Sequence, residues 1–144
     1  MQRAVALAPT VAESHAALAE VLSCLGRTTE AMEVAAKARR QKNEFADDHI
    51  ASLGPAYAVA GRYEEARPLL QRSLGRYPNI LRIHLALAVV YSELGQTAEA
   101  KAEAAEVLRL NPQFSLEVHK QRMPIKDPAV LERHIAALRK AGLK

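Results

Sequence analysis

The sequence has no tryptophan, one cysteine and only 4% aromatic residues. A core without rings must be built from aliphatic side chains, and stacking surfaces for nucleobases are scarce. A lone Cys24 excludes a disulfide framework within the chain and any cysteine-rich zinc site. Long apolar runs are missing too. No stretch approaches a membrane span, and the N-terminus lacks the apolar core of a secretory leader. Nor is there a strong excess of one charge: 20 basic against 16 acidic side chains leave +4. What the 144 residues do contain is apolar substance, 49% of them hydrophobic, which excludes wholesale disorder and suffices for one domain. These limits describe a soluble, Ala- and Leu-rich helical chain of a reducing compartment, expected in the cytoplasm.

The chain repeats itself. Gly26, Gly61 and Gly95 recur at a nearly constant interval of about 34 residues. Each precedes an acidic–alanine pair: Glu30-Ala31, Glu65-Ala66 and Glu99-Ala100. Pro78 and Pro112 are separated by the same interval. Punctuation in phase at this period marks an array of short helical units, none of which can bury its apolar face alone. Leu18, Val21, Leu22 and Leu25 recur at helical spacing, as do Leu87, Val90, Tyr91 and Leu94. The three glycines fall where a helix needs a left-handed C-terminal residue. The pattern predicts helices near 11–25, 28–41, 47–60, 64–76, 80–94 and 97–110. Pro55 falls inside the third, where the lost hydrogen bond costs about 3 kcal/mol unless offset and a kink is expected. Pro68 is expected near the first turn of the fourth, where the cost is smaller.

The residues that carry the period resemble the tetratricopeptide repeat (TPR). Its first helix reads W-x2-L-G-x2-Y. The matching sets here are His15, Leu18, Ala19, Leu22, then Ile50, Leu53, Gly54, Tyr57, then His84, Leu87, Ala88, Tyr91. Its second helix reads A-x3-F, a small residue and then Pro. The matches are Ala31, Ala35, Ala38, Asn43, then Ala66, Leu70, Ser73, Pro78, then Ala100, Ala104, Val107, Pro112. The family's Trp is absent throughout, and Asn43 stands where Pro is usual. The resemblance covers residues 12 to 112. It implies an all-α solenoid, a right-handed superhelix of antiparallel helix pairs, with three repeats (about 12–46, 47–80 and 81–114) within residues 11–112.

The two ends differ from this core. Residues 3–9 read as the last turns of a second helix, with Pro9 one repeat ahead of Asn43 and in register with it. Residues 1–10 are therefore the expected remnant of a preceding repeat, and the stack should begin on an apolar face that is either part of a longer array or covered by another molecule. Beyond the repeats, residues 113–144 are expected to form a capping helical hairpin. Ser115 is a cap candidate for one helix, and Asp127-Pro128 starts another with an N-cap and a proline at its first position. Charge is uneven: residues 1–114 carry 13 basic and 13 acidic side chains, residues 115–144 carry 7 and 3. A solvated outer face explains that excess, and a docking patch for an acidic partner is the sharper alternative. The runs Asn111-Pro112-Gln113-Phe114-Ser115-Leu116, Lys126-Asp127-Pro128-Ala129 and Leu138-Arg139-Lys140-Ala141-Gly142-Leu143 are similar to the C-terminus of bacterial class III adenylate/guanylate cyclases that end in TPR arrays. That similarity implies a sensory or regulatory array, and it carries over no cyclase activity.

Catalytic patterns are absent. There is no GxSxG, Walker loop, GxGxxG or HExxH. His15 and His84 occupy equivalent positions and are expected to pack. His49, His119 and His134 have no second ligand at i+4, so no metal site and no cofactor are expected. Cys24 is expected to be a small buried thiol. The acidic pairs Asp47-Asp48 and Glu64-Glu65 fall at helix starts, where the helix dipole explains them. The likeness to TPR arrays implies a concave groove lined by first helices. Its candidate residues here are Glu13, Ala16, Glu20 and Cys24, then Asp48, Ala51, Pro55 and Val59, then Arg82, Leu85, Val89 and Glu93. Well-known members grip a peptide's terminal carboxylate with Lys, Asn and Arg, whereas only Arg82 is basic in this set. Such a groove, apolar in the middle and charged at its rims, suits a helix or an extended apolar segment, unless the chain's own C-terminal helices fill it. The expected function is a non-catalytic protein–protein interaction module with a protein or peptide partner. No nucleic-acid or membrane partner is expected. A regulatory cyclase-type fragment and a homodimer through the N-terminal face are the alternatives.

Overall fold

The computed structural model describes residues 11–40 and 46–144. The expected remnant helix at 1–10 and the register residue Asn43 lie outside the described residues. The chain runs through α1 (Val11–Cys24), α2 (Thr28–Arg40), α3 (Ala46–Val59), α4 (Tyr63–Arg76), α5 (Leu81–Glu93), α6 (Thr97–Leu110), α7 (Leu116–Arg122) and α8 (Pro128–Lys140). Among the described residues there is no strand, and no helix is long and apolar enough to cross a membrane.

The repeat period is visible atom by atom. Gly26, Gly61 and Gly95 have φ of 80°, 82° and 77°, the left-handed region that closes a helix cheaply only with glycine. After each, one amide reaches back to the helix just ended: Arg27 N–H to Leu22 O, Arg62 N–H to Tyr57 O, and Gln96 N–H to Tyr91 O, at 2.8–2.9 Å. This bond satisfies a carbonyl that the ended helix would leave open. The next helix starts within one or two residues, so each pair is antiparallel. Arg27 and Arg62 then clasp Glu30 and Glu65 at the start of the second helix.

Alanine makes the pairs tight. Ala31, Ala66 and Ala100 are fully or almost fully buried, as are Ala19, Ala35, Ala56 and Ala88. Gly54 is tighter still: a Cβ there would lie 2.6 Å from Leu70 Cδ2 and 2.8 Å from its Cγ. α1, α3 and α5 pack in a row, each against its own second helix, and the larger core side chains are Leu53, Leu70, Ile83, Leu87, Val90 and Val107. The result is an all-α solenoid of stacked helix pairs.

Three positions differ from the sequence expectation or extend it. Pro68 is the sixth residue of α4 rather than a first-turn residue, because the glycine turn starts that helix at Tyr63. His84 is buried and tied rather than merely packed: one ring nitrogen lies 2.6 Å from Glu103 Oε1 and the other 2.7 Å from the Pro78 carbonyl. On α1, Leu18 and Val21 are exposed at 45% and 54%, whereas Leu87 and Val90, their counterparts two repeats on, are fully buried.

The tail does more than close the end of the stack. Ser115 caps α7 through Val118 N–H, and Asp127 caps α8 through Ala129 N–H, as their sequence positions predict. α8 then lies against α5, with Ile135, Leu138 and Leu143 buried. The linker between α7 and α8 reaches across to the first pair, where Lys126 N–H donates to the Cys24 carbonyl at 2.7 Å. The C-terminal Lys144 carbonyl accepts from Leu116 N–H at 2.9 Å, fastening the hairpin to itself.

Candidate interaction groove

Residues one helical turn apart on each of α1, α3 and α5 share one face of their helix, and these three helices are neighbours. Glu20, Cys24, Pro55, Val59, Arg82 and Leu85 all line a single hollow of about 280 Å³. These six candidates thus come from three different helices onto one surface. The side chains of Glu13, Ala16, Asp48 and Ala51 lie outside the described residues.

Val89 is not an open groove residue. Val89 is buried at 2% exposure. It lines, with Ile125, Val130, Arg133 and His134, a cleft whose free volume is about 10 Å³, at the limit for a single water. The reason is the tail, whose apolar stripe fills the groove between Val59 and Val89. Ser92, one turn further along α5, donates its hydroxyl to the Ala137 carbonyl of α8 at 2.9 Å. Leu85 is also buried, at 6%, and contributes a wall rather than a protruding contact. Glu93, at the exposed rim, is engaged from inside the molecule. It shares the Tyr63 phenol with Arg133 of α8, and that phenol is raised first by burial, then by Glu93 against the pull of Arg133.

The remaining wall of the hollow was not found by the groove pattern. Ala58 and Ala86 stand beside Val59 and Leu85 on their helices, and His119, Met123, Pro124 and His134 come from the tail. An amphipathic α8 was the only sequence signal for the last group, and it did not say where the helix would dock. The wall is mostly apolar, so its few polar groups decide what it tolerates. Arg82 of α5 and Glu20 of α1 form an ion pair across the row. Burial raises the Glu20 carboxyl, while Arg82 pulls it down through its charge and hydrogen bond. Cys24 is buried, and its thiol is raised by burial first and by Glu20 next, with Arg82 acting against them. That is an unreactive thiol.

On the tail side, His119 and His134 face each other with their Nε2 atoms 3.3 Å apart. Burial lowers both imidazoles, and His134, which also feels His119, is pushed down to about 4. Phe114 lies against His119 with ring centroids 5.5 Å apart. Next to them Lys120 and Glu132 pair at 2.5 Å, joining α7 to α8. Among the described residues, no group of three or more His, Cys, Asp and Glu is arranged to hold a metal ion.

An inner row of glycine-punctuated helix pairs with small residues at the crossings is the geometry that the sequence period implied. Two family models match the chain, both described as tetratricopeptide repeat, one over residues 59–120 and one over residues 12–37. The chain carries tetratricopeptide repeats. No curated protein and no solved structure matches it. Tetratricopeptide repeats generally mediate protein–protein interaction and are typically non-catalytic scaffolds. In these repeats α1, α3 and α5 hold the W-x2-L-G-x2-Y positions, and all three helices contribute residues to the hollow.

Proposed function

We propose that this tetratricopeptide-repeat chain is a protein-interaction module that holds its partner by one bulky apolar side chain seated in the hollow. The hollow itself carries this reading: about 280 Å³, walled by Pro55, Ala58, Val59, Leu85 and Ala86, with an ion pair at the rim. Sites that enclose a whole small ligand run from about 300 to 1,000 Å³, so this one suits an anchor residue better than a free metabolite. The tail supports the same conclusion. A peptide laid along the full groove would have to displace Ile125 and Val130 from the cleft over Val89, whereas a side chain entering beside Val59 displaces nothing. Specificity then comes from the Glu20–Arg82 pair at the rim.

The test is selection from a random peptide library on the immobilised chain. Enriched peptides should share a large aliphatic or aromatic residue and should lose binding to Val59→Glu. Leu108→Glu, on an exposed position of α6, should leave binding intact. Peptides without a common apolar residue, or ones that bind Val59→Glu as well as the unaltered chain, would refute the anchor reading.

A second reading rests on a different observation. The exposed stripe of Leu18, Val21 and Leu25 on α1 supports self-association through the first helix pair. Sedimentation of the unaltered chain against Val21→Lys tests it: a monomer at every concentration removes this reading. The likeness of residues 111–143 to cyclase tails adds no binding residue to either reading.

A further inference from the structure

We propose that His119 and His134 form a two-imidazole site for a divalent first-row transition-metal ion of the zinc class, at the edge of the hollow, with its remaining coordination positions open. The two residues are 15 apart in sequence and on different helices, α7 and α8. Their Nε2 atoms approach to 3.3 Å with the ring planes inclined at 31°. At that separation one neutral ring can donate to the other, and the same spacing also suits two nitrogens on a shared ion. Two imidazoles on one tetrahedral ion, at metal–nitrogen distances of about 2.0–2.1 Å, stand about 3.3–3.4 Å apart. The pair is thus spaced as ligands are.

The surroundings fit a metal better than a proton. Neutral imidazole is the form that ligates, and both rings lie against the hollow with their Nε2 atoms turned toward each other. No other hydrogen bond to either Nε2 occurs among the described residues. A zinc site that serves only structure is closed by four protein ligands. Here the set stops at two among the described residues, and the pair opens on the hollow, which Glu20, Cys24 and Met123 also line. Open positions would carry water, or a donor atom brought by whatever enters the hollow. An ion held this way also ties α7 to α8 beside the Lys120–Glu132 bridge, so loading should stiffen the tail. The inference stands on the histidine geometry alone and does not need the anchor reading.

The experiment uses the full chain, stripped with a chelator, with Zn²⁺ and Co²⁺ as probes. Calorimetric titration should show one Zn²⁺ per chain, Co²⁺ should develop visible ligand-field bands, and Zn²⁺ should raise the melting temperature. His119→Gln and His134→Gln should each abolish all three signals, or weaken binding by more than the roughly 10- to 100-fold that loss of an outer-shell partner costs. His15, His49 and His84 remain in both variants, so any binding elsewhere would persist. Failure of the unaltered chain to bind, or equal binding by both variants, overturns the proposal. His119 is only half-buried, so His119→Gln decides the matter if His134→Gln proves unfolded by circular dichroism.

Discussion

The Ser92 hydroxyl on α5 donates to the Ala137 carbonyl on α8 at 2.9 Å, a buried bond between distant parts of the chain. It joins the solenoid to its own tail. Ala137 O also accepts from Ala141 N–H at 3.0 Å, so deleting the hydroxyl leaves no orphaned acceptor. Ser92→Ala should therefore cost only about 0.5–1.5 kcal/mol. Leu138→Ala, which empties a fully buried position on the same helix as Ala137, should cost about 2–5 kcal/mol. Urea denaturation distinguishes the two. Near-equal losses would mean that α8 rests on the hydrogen bond rather than on its apolar stripe.

Gly54 and Leu70 are coupled by space. A methyl group at 54 meets the Leu70 side chain at 2.6–2.8 Å, and Leu70 is itself fully buried. Overpacking costs about 1–3 kcal/mol. Replacing a mid-helix glycine by alanine returns about 1 kcal/mol of helix propensity. Gly54→Ala should therefore be neutral to destabilising by about 2 kcal/mol in the natural background. With Leu70→Ala already in place the clash is gone, and the same change should stabilise by about 1 kcal/mol. A double-mutant cycle by thermal or urea melting reads this sign change. Additive effects would show that the two helices separate freely.

How much of this was legible in the sequence depends on the range of the interaction. The helices came out within a residue or two, because Gly26, Gly61 and Gly95 and the Glu-Ala pairs act locally. The caps Ser115 and Asp127 were legible for the same reason. Pro68 falls deeper in α4 than the first turn because the helix starts at Tyr63, one residue earlier than expected. The groove pattern found Glu20, Pro55, Val59, Arg82 and Leu85, whose spacing repeats with the helices. It could not show that Ile125 and Val130 would cover Val89, since nothing in an amphipathic stripe names the surface it will meet. The histidine pair was hidden likewise: its separation in sequence matches no neighbouring positions on one helix, and only the hairpin brings the rings together.

Val89 and Val59 make the consequence measurable. Both were legible as groove residues, yet Val89 is sealed under the tail, whereas Val59 lines both that cleft and the open hollow. Val89→Glu buries a charge in a cleft at the limit for a single water, whose lining cation Arg133 is already shared with Tyr63, and should weaken cooperative melting. Val59→Glu reaches the hollow and should melt close to the unaltered chain. Circular dichroism on both variants checks this. A Val89→Glu chain that melts like the unaltered one would mean that α8 lifts away from α5 at little cost.

Acid should loosen the tail through His134. Its imidazole titrates at about 4 in the folded chain against 6.5 ordinarily, first because of burial and next because of His119. The unfolded chain therefore takes up the proton first as pH falls. Stability is complete above pH 6.5 and declines through the window from 6.5 to about 4. With about 1.36 kcal/mol for each unit, the full decline is about 3 kcal/mol. His119, also lowered by burial, acts in the same direction. The acidic groups Glu106 and Glu132, lowered by Arg109 and Lys120 respectively, lose their stabilising effect only as pH falls below the ordinary carboxylate range. Urea melts of metal-free chain at pH 7, 5.5 and 4.5 should show the loss, and His134→Gln should flatten the profile over that interval. A variant with the same pH slope as the unaltered chain would place the acid sensitivity elsewhere in the molecule.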